Sequence, residues 1–161
     1  MITTKITVKE HLKEYCIAKF SDFDEGSPVM FPRETDIYLL IWDRLRKRPV
    51  DCQIDRGNLE IALPNRREGK NPLYWNYLNR TAQKEVERKI ERMMWAELRD
   101  AIDSARHRDG IPYIASISAW MDRYGISSIS EDALRKNYYR WREKIRKKEK
   151  RPYKKHKITP T

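Results

Sequence analysis

Residues 81–107 read TAQKEVERKIERMMWAELRDAIDSARH, with neither glycine nor proline to interrupt them. Val86, Ile90, Met94, Leu98, Ile102 and Ala105 recur at helical spacing, and Met93 and Ala101 widen the stripe, so the stretch predicts one long amphipathic helix. Its two methionines read as core filler, because an unbranched thioether fits irregular gaps. The other face mixes charges, with Glu85/Lys89 attracting and Glu87/Glu91 repelling at i,i+4, as on a solvated surface. Asp109-Gly110 marks the stop.

Downstream, Pro112 fits the first turn of a second helix, where its missing N–H is not needed. Ile114, Ile117, Met121 and Tyr124 would form its apolar face and Gly125 its end. Ser130 is placed to cap a third helix, with Glu131 and Asp132 against the positive end of its dipole. Leu134, Tyr138, Trp141 and Ile145 follow at intervals of 4, 3 and 4 and would pin one face of that helix to the core. Residues 81–148 are thus expected to form a trihelical lobe, and 149–161 a basic flexible tail.

Upstream, Ile6-Thr7-Val8 and Val29-Met30-Phe31 read as short strands, and Leu59, Ile61 and Leu63 alternate with Glu60 and Ala62 as in a half-buried strand. Between them, Leu12, Tyr15, Cys16, Lys19 and Phe20 follow helical spacing. Asp36 to Lys47 carries Ile37, Leu40, Ile41 and Leu45 on one face, capped by Thr35 or Asp36. Tyr38 and Trp42 flank that stripe and read as core. The fold class is therefore α+β: a small β-α-β-α-β lobe over 1–64, then a mainly helical lobe. A lobe this small buries little alone, so its sheet should pack on the helices that follow.

Residues 65–80 connect the two. Arg66, Arg67 and Lys70 interleave there with Tyr74, Trp75 and Tyr77. Cations beside rings suit nucleic acid, which makes Arg66, Arg67, Lys70 and Trp75 a secondary candidate contact. The same composition suits an ordered connector anchored by its rings.

Charge is distributed unevenly. The chain carries 35 Lys and Arg against 24 Asp and Glu, a net +11. Residues 1–70 hold 13 basic and 12 acidic side chains and residues 71–130 hold 9 and 8, whereas residues 131–161 hold 13 and 4 and so account for +9. A near-neutral body with one cationic end implies a directional contact with a polyanion. With the apolar stripe of the third helix turned inward, Arg135, Lys136, Tyr139, Arg140, Arg142 and Arg146 fall outward or to the flanks. A helix fits the major groove of duplex DNA, where arginine reads guanine and asparagine reads adenine, and Arg135, Lys136, Asn137 and Tyr139 lie nearest its N-terminal end. Lys144, Lys147, Lys148, Lys150, Arg151, Lys154, Lys155 and Lys157 continue the charge and suit phosphate neutralisation, which adds affinity without reading sequence.

Residues 113–146, with the long helix before them, resemble a helix-turn-helix, in which 114–124 would support, 125–130 turn and 131–146 recognise. Their connector is longer than the usual three or four residues. The chain is also similar to small accessory proteins of Bacteroides phages and other mobile elements, across Ile129-Ser130-Glu131-Asp132-Ala133-Leu134 and Asn137-Tyr138-Tyr139-Arg140-Trp141-Arg142. Charge and resemblance together lead us to expect a non-enzymatic DNA-binding regulator or accessory factor. The alternative is a structural or adaptor protein of a phage or ribonucleoprotein assembly with a non-specific neutralising tail. A homodimer enters as a further expectation, from the short N-terminal strands and from the habit of such proteins to bind two half-sites.

Little in the sequence suggests catalysis. His11, His107 and His156 are scattered, Cys16 and Cys52 have no metal-ligand spacing, and no glycine-rich phosphate loop occurs. Cys16 reads as a core residue. Asp51, Asp55 and Glu60 lack the lysine that would complete a familiar nuclease motif. No catalytic residue, cofactor, metal or small-molecule substrate is expected. Nor does any run approach the roughly 20 apolar residues of a membrane span, and no secretory signal opens the chain, so a reducing cytoplasm is the expected location.

Overall fold

In chain order the elements are β1 (Thr3–Ile6), α1 (Glu10–Phe20), α2 (Asp36–Arg44), β2 (Leu59–Ala62), α3 (Arg80–Asp109), α4 (Tyr113–Tyr124) and α5 (Glu131–Glu149). The computed structural model describes residues 1–21, 26–52 and 55–149. Among these the fold is mixed α+β and mostly helical. The anticipated long helix is α3, capped by Asn79, whose side chain accepts from the Ala82 N–H at 2.8 Å. Gly110 closes it in the left-handed region at φ 66°, where a side chain would be strained.

Ala82, Val86, Ile90, Met94, Leu98 and Ile102 are the buried residues of α3. A strict spacing of four, on a helix of about 3.6 residues per turn, advances the stripe by about 40° per step and by roughly 200° over its length. The helix therefore turns successive faces to different partners. Its charges do the same, and the solvated i,i+4 pairing expected of them does not form. Glu85 instead takes Arg44 of α2 at 2.5 Å and Lys89 takes Asp36 at 2.8 Å. Glu91 takes Lys9 at 2.8 Å. Further along, Glu97 accepts from Tyr15 and Lys19 of α1 and Tyr124 of α4, and Asp103 accepts from Tyr138 of α5. Both expected methionine positions pack, Met94 fully buried and Met93 partly.

The sheet is smaller than expected. β1 pairs antiparallel with β2, from Thr3↔Ala62 to Ile6↔Leu59. The strand placed at 6–8 lies at 3–6 instead, because the Asn58 side chain captures both main-chain groups of Val8, at 2.9 and 2.8 Å, and ends the ladder. Residues 29–31 form no strand. Val29 makes a single parallel bridge to Ile61, and the Met30 N–H turns away to the Phe20 carbonyl at 3.0 Å. Gly57 presses on β1 so closely that a Cβ there would lie 2.3 Å from the Ile6 backbone N, C and O. Main chain in a paired strand yields little. Gly57→Ala is therefore expected to cost about 2–3 kcal/mol, measured as a shift of the urea midpoint at unchanged m-value.

Other boundaries follow local chemistry. Thr35 caps α2, accepting from the Tyr38 N–H at 3.4 Å, and α2 stops at Arg44, short of the expected Lys47. On α4 the buried face is Ser116, Ile117, Trp120 and Tyr124 rather than the Ile114/Met121 stripe, and Ile114 is 49% exposed. Both stripes share Ile117 and Tyr124; Trp120 decides between them by stacking on Tyr15, with centroids 6.1 Å apart. Pro112 is the residue before the first turn, not inside it, and its carbonyl accepts from the Ser116 N–H at 3.1 Å. Buried residues from Ile6 through Ile41, Ile61 and Leu98 to Tyr138 form one hydrophobic cluster, so the core continues across residue 64. Tyr38 belongs to it and Trp42 packs against it, as expected.

Candidate nucleic-acid interface

α5 is positioned by its turn and by two fully buried anchors. Gly125 ends α4 at φ 58°, and the Ser130 hydroxyl accepts from the Ala133 N–H at 3.2 Å to start α5. Between them, Glu14 of α1 takes four hydrogen bonds: from the Ser127 N–H and hydroxyl at 3.1 and 3.0 Å, and from those of Ser128 at 3.2 and 2.7 Å. Burial pushes the Glu14 carboxyl up, but the serine bonds outweigh it and hold its pKa below the ordinary value. The turn is thereby fastened to a helix 113 residues away in sequence. Leu134 and Tyr138 are fully buried, and the Tyr138 hydroxyl donates to Asp103. Trp141 and Ile145, the other two expected anchors, are only half-buried.

Rings and guanidiniums line the seam between α5 and its neighbours. Arg142 lies 5.3 Å from the centroid of Tyr113 and 5.8 Å from that of Tyr138, and donates to the Tyr113 hydroxyl. Arg99 lies 4.9 Å over Trp141 and 5.9 Å over Trp95, with burial lowering its pKa, and Nη2 donates to Asn137 Oδ1 at 3.3 Å. These stacked cations join the Tyr138–Asp103 bond in holding the seam.

The expected contact residues of α5 separate into two groups. At the N-terminal end, Asp132 takes Arg135 at 2.5 Å and Lys136 at 2.7 Å, and Asn137 is turned to Arg99. Tyr139 is 48% exposed but leans on Tyr113 and Tyr138. Arg142 is held on its rings. In the C-terminal half, Arg140, Lys144, Arg146 and Lys148 are exposed and form no ion pair among the described residues, while Lys147 pairs with Glu143 at 3.2 Å. Lys150, Arg151, Lys154 and Lys155, with Lys157, lie outside the described residues.

No protein-family model, curated protein or solved structure matches the chain.

The secondary set also separates. Lys70 donates to the Trp42 and Asp43 carbonyls, both at 2.8 Å, closing the last turn of α2; Trp75 is half-buried under Lys70 and Lys47. Arg66 lies 5.7 Å over the Trp42 ring and, like Arg67, is exposed. Two of the three acidic residues considered for catalysis are engaged by other partners. Asp55 takes a two-pronged bond from Arg48, at 3.2 and 2.7 Å, and Glu60 accepts from the Thr3 hydroxyl at 2.6 Å. Burial pushes the Cys16 thiol up to about 12, so it is protonated near neutral pH. Among the described residues, no group of three or more His, Cys, Asp or Glu is placed to hold a metal, and no helix is long and apolar enough to cross a membrane.

Sequence reasoning did not find Glu14, Arg99 or Tyr113. Nothing local to Glu14 marks it as the clamp of a distant turn. Tyr113 carried a usable signal: it precedes Ile117, Trp120 and Tyr124 at spacings of 4, 3 and 4.

Proposed function

We propose that this protein is a non-enzymatic duplex-DNA-binding accessory factor that grips the phosphate backbone through the C-terminal half of α5. The observation behind the reading is a set of cations exposed and without ion pairs among the described residues, Arg140, Lys144 and Lys148 along one flank and Arg146 on the other, on a helix whose first half is locked to the body. Residues 140–148 span about 12 Å of helix. In this reading residues 1–64 are a scaffold, 81–148 the DNA-facing unit, and the cations of 150–157 add counterion release. Backbone contact is favoured over base reading because Glu131 and Asp132 stand at the end that a helix-turn-helix inserts, and because Arg135, Lys136 and Asn137 are already engaged. The strand pairing that suggested a dimer is met within the chain, β1 on β2.

Fluorescence anisotropy with two unrelated duplexes, single-stranded DNA and RNA tests this. The four α5 cations contribute about −3.6 to the log–log salt slope, roughly a 100-fold weakening between about 50 and 200 mM salt, and the cations of 150–157 are expected to steepen it further. Similar affinity for both duplexes, above that for the single strands, is the expected result. No binding to any nucleic acid at low salt would sink the reading. Strong preference for one duplex would return base recognition to the N-terminal end of α5, and equal binding to every polyanion would favour the adaptor alternative.

A further inference from the structure

Unpaired cations also gather far from α5 in sequence. Arg33, Arg66 and Arg67 are exposed, form no ion pair among the described residues, and line one cleft of about 780 Å³. Elsewhere several cations are matched, Arg44 to Glu85, Arg48 to Asp55 and Lys9 to Glu91. Among the described residues, no aspartate or glutamate lines the cleft. Three guanidiniums with no ion-pair partner among the described residues around one concavity focus a positive field into it, and the planar arginine fork matches a carboxylate with two parallel hydrogen bonds.

The walls narrow the choice of anion. Ile2 and Ala62 contribute apolar surface, and Met30 and Leu73 add more at 52% and 65% exposure. A nucleobase would need a free ring to stack on. The two aromatic residues of the cleft, Phe31 and Tyr38, are each only 7% exposed, and the Tyr38 hydroxyl is turned to the Asn65 carbonyl. Aliphatic and thioether walls instead accept an apolar side chain. The loop presenting Arg66 and Arg67 is ordered by close contact with α2: Gly69 sits at φ 103°, and a Cβ there would lie 2.9 Å from Trp42 Cζ2.

We propose that this cleft docks an acidic peptide segment of a partner protein, with carboxylates on Arg33, Arg66 and Arg67 and an apolar anchor between Met30 and Leu73. Two separate regions of the chain would then bind different partners, DNA at α5 and protein here. The inference does not rest on the DNA-binding reading of α5, since it uses none of that helix's side chains; Arg66 and Arg67, expected from sequence as a secondary nucleic-acid contact, are assigned to protein here.

The test is a titration of the full-length, ¹⁵N-labelled chain followed by amide chemical shifts. The probe is a mixture of peptides of about 12 residues, randomised over Asp, Glu, Leu and Phe. Two comparisons run beside it: the same mixture with serine in place of Leu and Phe, and an oligothymidylate of equal length. The first mixture is expected to move the amides of Arg33, Leu63, Arg66 and Arg67, and the serine mixture to bind at least about tenfold more weakly. R33E/R66E/R67E should lose at least about tenfold in peptide affinity, with duplex binding through α5 changed less than about twofold. M30S/L73S, which leaves the charges in place, should weaken the first mixture but not the serine mixture. The proposal is overturned if the peptides move no cleft amide at millimolar concentration, or if both variants bind them like the parent. It is equally overturned if oligothymidylate moves the same amides at equal or lower concentration, which would make the cleft a nucleic-acid site.

Discussion

Replacing Glu97 by alanine is expected to lower the unfolding free energy by about 3 kcal/mol and the melting temperature by roughly 6–12 °C. The carboxylate of Glu97 is where three helices meet: Tyr15 donates to it at 2.7 Å, and Lys19 and Tyr124 donate to it at closer range. Tyr15 is fully buried, so its hydroxyl donor is left without its acceptor in the variant, and a buried unpaired donor costs about 1–3 kcal/mol. Burial and the Glu97 carboxylate push the Tyr124 hydroxyl up to about 12, which keeps it a donor across the neutral range. Lys19 loses its counter-charge as well. Because Glu97 and Lys19 keep 26% and 33% side-chain exposure, the lower end of the range for a broken buried pair applies. Glu97→Gln, which retains one acceptor oxygen, should cost about half as much.

The same residue carries an acid dependence. Burial pushes the Glu97 carboxyl up, but the bonds from Lys19, Tyr124 and Tyr15 outweigh it and hold its pKa below the ordinary 4.5. A lowered folded pKa means that the stabilisation is fully present above 4.5 and is lost as pH falls from there through the folded value. Glu14 and Asp55, also lowered, act in the same direction. Glu97→Gln should therefore flatten, without abolishing, the fall in melting temperature below pH 4.5. A variant that melts like the parent at pH 7 would show that the three helices do not depend on this junction.

What could be read from residues alone was the part governed by local rules. The helix of 81–107, the caps at Thr35 and Ser130, the stops at Gly110 and Gly125 and the strand at 59–62 each follow from spacing or from one side chain's chemistry. The strands at 6–8 and 29–31 failed because Asn58 and Phe20, distant in sequence, compete for their main-chain groups. The α4 face failed because two stripes share Ile117 and Tyr124, and only the volume of Trp120 against Tyr15 separates them. At the candidate site, the outward cations of α5 were legible, but their availability was not. Asp132 stood out as a partner for the helix dipole; its i,i+3 and i,i+4 bonds to Arg135 and Lys136 were equally readable from spacing. Arg99 and Glu14 act across 38 and 113 residues, where a single sequence carries no signal.

That division within α5 yields the second large effect. Neutralising Arg140, Lys144, Arg146 and Lys148 together to alanine is expected to weaken duplex binding by at least about 100-fold near 50 mM salt, and to reduce the magnitude of the salt slope by about 3–4. All four are exposed, so circular dichroism and melting temperature should stay close to those of the parent. Arg135→Ala should have a smaller effect, because that guanidinium already faces Asp132 at 2.5 Å. Asp132→Asn works in the opposite direction. The bonds from Lys136 and Arg135 hold the Asp132 carboxyl below its ordinary pKa, so it is charged near neutral pH. Removing that charge releases both cations to phosphate and should steepen the slope by about 1–2 while tightening binding to every duplex alike. If Arg135→Ala instead proves as damaging as the fourfold change, and does so on one duplex only, then the N-terminal end of α5 reads bases and the grip assigned to its C-terminal half is wrong.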